Sequence, residues 1–217
     1  MNGTVRAMHS ETVTLTTVDG VELVADVIDQ TEPSTGVVVA HPHPLYGGDR
    51  HNHVVDAVWR GAGVRGACAV RFDFRSAGGS GGHHGGGGPE RLDVQAAIVE
   101  VHRRHPGLAV WLVGYSFGAL VVAEVDEASV AGWLLIAPPL SALDSGGSVR
   151  CGPDPRPKHL VVPHHDEFCP PTCARAATAT WAATHVLDLP SATHSMVAQG
   201  AALAPLLDAM ITSPAGP

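Results

Sequence analysis

The sequence predicts an α/β domain built on a doubly wound, mostly parallel β-sheet with an antiparallel hairpin at its N-terminus. Three observations carry this. An alternating run with Asp19-Gly20 at its centre opens the chain, and Asp-Gly between two alternating segments is a hairpin signal. Short β-branched apolar runs then alternate with amphipathic segments to the C-terminus, which is the order of repeated βα units. The 217 residues, 45% hydrophobic and 16% charged, suit one domain with its own core over residues 1–217, with "TSPAGP" at 212–217 as a frayed tail.

The elements follow in order. "TVTLTTVDGVELVADVI" gives the two hairpin strands, and "GVVVAHP" gives a strand covered on both faces. "NHVVDAVWRGAG" reads as a helix ending at glycine. Strand "ACAVRFDF", helix "PERLDVQAAIVEVHRR", strand "AVWLVGY", helix "FGALVVAEV" and strand "AGWLLIA" come next. Strand "HLVVP", helix "PPTCARAATATWAA", strand "HVLDL" and helix "SMVAQGAALAPLLDAMI" close the series. Two stretches fall outside it: the glycine-rich loop "SAGGSGGHHGGGGP" and the Pro/Gly/Ser loop "PPLSALDSGGSVRCGPDPRP". The second is too broken by proline and glycine to form a packed helical lid.

Composition excludes several classes. A net charge of −8, a single lysine (Lys158) and the lack of any basic run argue against nucleic acid as a partner. No 18-residue apolar stretch is present, so no membrane span is expected. The first residues, "MNGTVRAMHSETVTL", hold no apolar signal core, and the four cysteines form no C-x-x-C pair. Both point to a reduced, cytoplasmic protein. Cys169 and Cys173 could share a helix face, and are read as structural or incidental thiols rather than a metal site.

G-x-S-x-G occurs twice, at Gly114-Tyr115-Ser116-Phe117-Gly118 and at Gly78-Gly79-Ser80-Gly81-Gly82. A nucleophile at the carboxyl end of a parallel strand needs a sharp strand-to-helix turn, with small residues two before and two after it. Ser116 sits between a strand and a helix. Ser80 is followed by more glycine and reads as a loop residue, and the glycine-rich loop lacks the G-K-[ST] ending of a phosphate loop. A serine also needs a base and an orienting acid, here expected in the chain order Ser, Asp/Glu, His. His159 and His185 fall at strand starts, the wrong end of the sheet, and His164 and His165 read as loop residues. His194 follows the last strand at the carboxyl edge. Asp166 leaves the penultimate strand one strand away, with Glu167 in reserve. Asp126, Asp144, Asp154 and Asp188 are worse placed. The oxyanion donors are expected to be the N–H of Phe117 and one from "AHPHPLYGG". Pro42 and Pro44 have none to give, which leaves His43 or Leu45, with His43 nearer the strand end. Leu45, Tyr115, Pro138 and Leu140 are expected to line the substrate pocket. The histidines of "HPHPLYGGDRHNH" lack the i, i+4 spacing and carboxylate partner of a zinc motif, so no metal and no cofactor is expected.

With "VVVAHPHPLYGGDRHNHVV", "VRFDFRSAGGSGG", "GYSFGA", "LLIAPP", "HHDEFCPP" and "ATHSM" in place, the chain resembles the α/β-hydrolases. It resembles above all a short, lidless group related to dienelactone-hydrolase-like and prolyl-oligopeptidase-like proteins. The resemblance implies the α/β-hydrolase fold, a triad of Ser116, Asp166 and His194, and oxyanion donors at His43 and Phe117. Dienelactone hydrolases proper carry cysteine where this chain has Ser116, so ordinary ester chemistry is the expectation. The expected activity is cleavage of a small-molecule ester through an acyl-enzyme. Acyl transfer or lactone opening on the same triad, and a non-catalytic binding role, are the alternatives. Oligomeric state is left open.

Overall fold

A computed structural model describes residues 9–143 and 149–212. The hairpin strands β1 (Ser10–Thr16) and β2 (Glu22–Ile28) pair antiparallel. Their turn closes through Gly20, at φ +83°, whose N–H donates to the Thr17 carbonyl at 2.9 Å. The βα series follows as β3 (Gly36–Ala40), α1 (His53–Val64), β4 (Cys68–Phe72), α2 (Glu90–Arg104), β5 (Val110–Tyr115), α3 (Phe117–Ala123) and β6 (Val130–Ile136). Then come β7 (Lys158–His165), α4 (Pro171–Ala177), β8 (Thr184–Thr193) and α5 (Ala204–Thr212). The eight strands lie in the order β1-β2-β4-β3-β5-β6-β7-β8. β2 also pairs antiparallel with β4, and every later pairing is parallel. The chain leaves β3 for β4 on one side and later returns to β5 on the other. That reversal opens a crevice at the strands' carboxyl ends.

The central strands are apolar without alternation because both faces are covered. Val38, Ala40, Leu112 and Leu135 pack into a core shared with α2 and α3. Val37, Val39, Val113 and Leu134 pack on the other face with α1 and α5. α1 begins where the Asn52 side chain accepts the Val54 N–H at 3.0 Å, and it turns Val54, Val55, Val58, Trp59 and Ala62 inward. Trp133 on β6 is fully buried, and its indole N–H donates to the Val122 carbonyl at 3.1 Å, which fixes α3 against the sheet. Truncating a core tryptophan to alanine costs about 3–5 kcal/mol.

Four local expectations change. The helix read from Ser195 begins only at α5, after a 3-10 turn at Gly200–Leu203. Met196 (φ 54°) and Ala198 (φ 60°) hold left-handed backbone that a helix cannot carry. α4 stops at Ala177 rather than running on through the alanines. β7 and β8 extend past the apolar runs, so His164 and His165 end a strand rather than sit in a loop. Cys169 and Cys173 are joined as a disulfide rather than left as thiols, with Cα atoms 5.3 Å apart, as residues four apart at a helix start can be. The tail beyond 212 and the Asp144 position lie outside the described residues. Pro138 to Lys158 contributes only a 3-10 turn at Leu140–Ala142 among its described residues, and the described residues form no lid. At the start of β7, the buried Lys158 ammonium donates to the carbonyls of Asp154 (2.5 Å) and Arg156 (2.7 Å).

Candidate active site

β5 ends at Tyr115 and α3 begins at Phe117, so the whole reversal falls on Ser116, at φ 54° and ψ −117°. A non-glycine residue there costs on the order of 1–3 kcal/mol and persists only if its surroundings enforce it. They do: the Ser116 N–H donates to the Ile136 carbonyl at 2.8 Å, and its carbonyl accepts the Ala119 N–H at 2.9 Å. The flanking glycines are sterically required. A Cβ on Gly114 would overlap the Gly118 carbonyl, and one on Gly118 would meet the Ala40 and His41 carbonyl oxygens at 2.5 and 2.6 Å. The other match is spent on structure. Ser80 Oγ donates to the Asp73 carbonyl at 2.8 Å and accepts the Val24 N–H at 2.9 Å, tying the glycine-rich loop to β2.

The loops leaving β7 and β8 bring Asp166 and His194 to this serine. Ser116 Oγ lies 2.8 Å from His194 Nε2, and His194 Nδ1 lies 2.9 Å from Asp166 Oδ2. The Asp166 carboxylate is buried, and its Oδ1 accepts the backbone N–H groups of Phe168 (2.8 Å) and Cys169 (3.2 Å), which turns Oδ2 toward the imidazole. The Tyr115 hydroxyl donates to the His194 carbonyl, and burial raises that phenol to about 12, so it stays protonated. The rejected acids are engaged elsewhere. Asp126 and Asp154 both hold Arg156, Asp188 faces His164 Nδ1 at 3.2 Å, and Glu167 stands on the rim of the cleft.

The first residue of a helix has no carbonyl four back to receive its N–H. In α3 that residue is Phe117. In the loop after β3, a 3-10 turn at Pro44–Tyr46 points the Leu45 N–H at His43 Nδ1, 3.2 Å away, which leaves the His43 N–H. Among the described residues neither the Phe117 nor the His43 N–H finds an acceptor. The loop is held from beneath by His41. Its Nδ1 donates to the Pro42 carbonyl at 2.6 Å and its Nε2 accepts the Phe74 N–H at 2.9 Å. That pairing needs the neutral ring, and burial lowers its pKa to about 4.

The glycine-rich loop is organised by a residue whose role is not legible locally. Glu90 opens α2, where a surface acid would be ordinary, yet it is fully buried and accepts the N–H groups of Gly85 (2.6 Å) and Gly87 (2.7 Å). His84 Nδ1 is 2.9 Å from the same carboxylate, though off the line of a hydrogen bond. An internal carboxylate thus takes up two of the loop's N–H groups. At the loop's other end, Arg75 bridges Asp93 and Asp19. The Phe117 ring packs against His43 (4.8 Å) and His84 (5.3 Å), joining this loop to the elbow.

The cleft beside Ser116 has a volume of about 400 Å³. Pro42 to Gly48 forms one wall in part, with Tyr46 at its rim. Asn52, His53, Glu167, Phe168 and Ser195, none of them expected there, complete it. Tyr115 lines the cleft as expected, but Leu45, Pro138 and Leu140 do not. The 3-10 turn points Leu45 into solvent, 67% exposed. Leu140 is turned into the core over α3 and α4, and Pro138 is buried with it. The neighbouring histidines have structural contacts: His53 Nε2 meets the Ser195 carbonyl at 3.0 Å, and His51 Nδ1 meets Arg71 at 3.4 Å.

Known proteins show the same arrangement of chain. A lidless α/β serine hydrolase from Xanthomonas campestris superimposes with a TM-score of 0.82 at 27% identity, covering 99% of this chain and 100% of that one. An α/β serine hydrolase homologue from Coxiella burnetii does so with a TM-score of 0.80 at 25% identity, over 95% and 98% of the two chains. An uncharacterised protein of Rickettsia prowazekii is 29% identical over 142 residues, 64% of this chain and 60% of that relative's length. The serine hydrolase family model matches residues 89–213, the segment that holds Ser116, Asp166 and His194. The chain belongs to the serine hydrolase family, on an α/β-hydrolase fold.

Proposed function

We propose that this serine hydrolase cleaves small carboxylic esters through an acyl-enzyme, with Ser116 as nucleophile, His194 as base and Asp166 as the acid that orients it. The observation that carries this is the unbroken chain of contacts from Ser116 Oγ through both ring nitrogens of His194 to a buried carboxylate. His194 Nε2 takes the hydroxyl proton as Oγ attacks the ester carbonyl. The Asp166 carboxylate accepts the Nδ1–H throughout and stabilises the imidazolium. The oxyanion forms against the N–H groups of His43 and Phe117, whose places are fixed by backbone rather than by mobile side chains. The imidazolium then protonates the leaving alkoxide, and the alcohol departs. Water, deprotonated by the same nitrogen, attacks the acyl-enzyme, and collapse releases the carboxylic acid and free Ser116. A lidless cleft gives water direct access to that intermediate, which favours hydrolysis over acyl transfer to another alcohol.

The test is a fluorophosphonate probe followed by peptide mapping, together with turnover of phenyl acetate. Labelling at Ser116, blocked by a Ser116→Ala exchange, with matching loss of turnover, is the expected result. Labelling elsewhere, or turnover that survives the exchange, overturns the assignment.

A further inference from the structure

Three chain ends converge at the amino edge of the parallel strands, one strand length from Ser116. β2 runs antiparallel to its neighbours and α2 runs back along the sheet, so both finish where β4 begins. Asp29 directly follows β2, Cys68 is the first residue of β4, and His105 caps the C-terminus of α2. One ligand atom from each lies within 4.8 Å of the other two. We propose that Asp29, Cys68 and His105 form a binding site for a zinc-class divalent cation, separate from the hydrolytic centre.

The donor set is the first argument. A thiol sulfur, an imidazole nitrogen and one carboxylate oxygen suit zinc or cobalt, whereas calcium and magnesium want oxygen alone. Three protein ligands leave a tetrahedral cation one position for water. The ligands are also held in place. Asp29 Oδ2 is fixed by Arg104 at 3.0 Å, which leaves Oδ1 on the side of His105 Nε2, 2.7 Å away. An outer partner that orients a ligating carboxylate in this way is typical of metal sites. Gln30 N–H also donates to Oδ1, at 2.8 Å, and fixes its direction without filling both lone pairs. The third argument is the field. The site sits at the carbonyl end of the fifteen-residue α2, where the helix dipole favours positive charge. Cys68 is fully buried while Asp29 and His105 are partly exposed, so a cation can enter from solvent on the carboxylate side. Binding replaces the proton His105 donates to Asp29, which moves to Nδ1 through solvent. It also releases the thiol proton to water.

Cobalt(II) is the probe, because a thiolate-to-cobalt charge-transfer band in the near ultraviolet reports sulfur ligation directly. The full chain, titrated with cobalt(II) under conditions that keep Cys68 reduced, is expected to take up one equivalent with that band. Cys68→Ala should abolish the band. His105→Gln, at a partly exposed position that leaves the core intact, should weaken binding tenfold or more. Phenyl acetate turnover of the metal-free His105→Gln chain should match that of the native chain, since none of the three residues is near Ser116. Zinc should displace cobalt and bleach the band. No band, a band that survives Cys68→Ala, or unchanged affinity in His105→Gln overturns the proposal. Uptake without sulfur ligation would place the ion at the surface histidines, and overturns it too.

Discussion

Tyr115 reaches past the serine it precedes and donates its hydroxyl hydrogen to the backbone carbonyl of His194 at 2.7 Å. The residue before Ser116 therefore fixes the loop that carries the proposed base. Tyr115→Phe removes that bond and little else. A neutral hydrogen bond contributes about 1 kcal/mol, so kcat should fall roughly fivefold with KM nearly unchanged. Steady-state kinetics on phenyl acetate checks this, and a change confined to KM would show that Tyr115 acts only as a cleft wall.

Ser116 combines the hydroxyl of the proposed nucleophile with a backbone conformation that favours glycine. Ser116→Ala should lower kcat/KM by roughly a thousandfold or more. Ser116→Gly should be as inactive, yet more stable than Ser116→Ala by about 1 kcal/mol, because glycine accepts φ near +54° without strain. Urea denaturation of the two variants measures the difference. Equal midpoints would mean the elbow is unstrained.

Among the described residues the cleft lacks a lid, and its volume is about 400 Å³. A methylene that stays in water forgoes the ~0.8 kcal/mol that burial supplies. Activity on p-nitrophenyl esters should therefore be highest from acetyl to butyryl and fall beyond, with no jump at an oil–water interface. Specificity constants that climb steadily to dodecanoyl would require a buried acyl channel instead.

His41 gives the fold a pH dependence of definite sign. Folded, its pKa is held at about 4, against the ordinary 6.5 of the unfolded chain. Below 6.5 the unfolded state gains a proton that the folded state refuses. The stability due to neutral His41 is thus complete above pH 6.5 and is lost as pH falls toward 4, by up to about 1.4 kcal/mol per pH unit. His43 and His159, also lowered by burial, act in the same direction. Urea midpoints should drop between about pH 7 and about pH 5, and drop less in His41→Gln. Parallel pH profiles for the two chains would remove His41 from the account.

Much of this was legible in the sequence because it is written locally. The alternation of apolar runs gives every strand, and the G-x-S-x-G between strand and helix singles out Ser116 over Ser80. Chain order and the ends of the last two strands suffice to bring Asp166 and His194 to it. What was not legible depends on contacts between distant segments. The walls made by His53, Glu167, Phe168 and Ser195 come from the start of α1 and the loops after β7 and β8, segments with no shared pattern. Leu140 looks like a pocket residue until the 3-10 turn directs it inward. Nothing near Glu90 in sequence announces its burial or the two glycine N–H groups it receives. The helix expected from Ser195 fails because Met196 and Ala198, residues with no turn signature, adopt left-handed backbone.

The anchoring of Lys158 has a practical consequence. It is the chain's single lysine, and its ammonium is sealed between two carbonyls at the entrance to β7. No lysine side chain offers an amine at the surface of the folded protein. An acylating reagent should modify Lys158 only during excursions that lift the Asp154–Arg156 turn off the sheet. The rate of its modification then serves as a built-in clock for the opening of that edge, read from one residue by mass spectrometry.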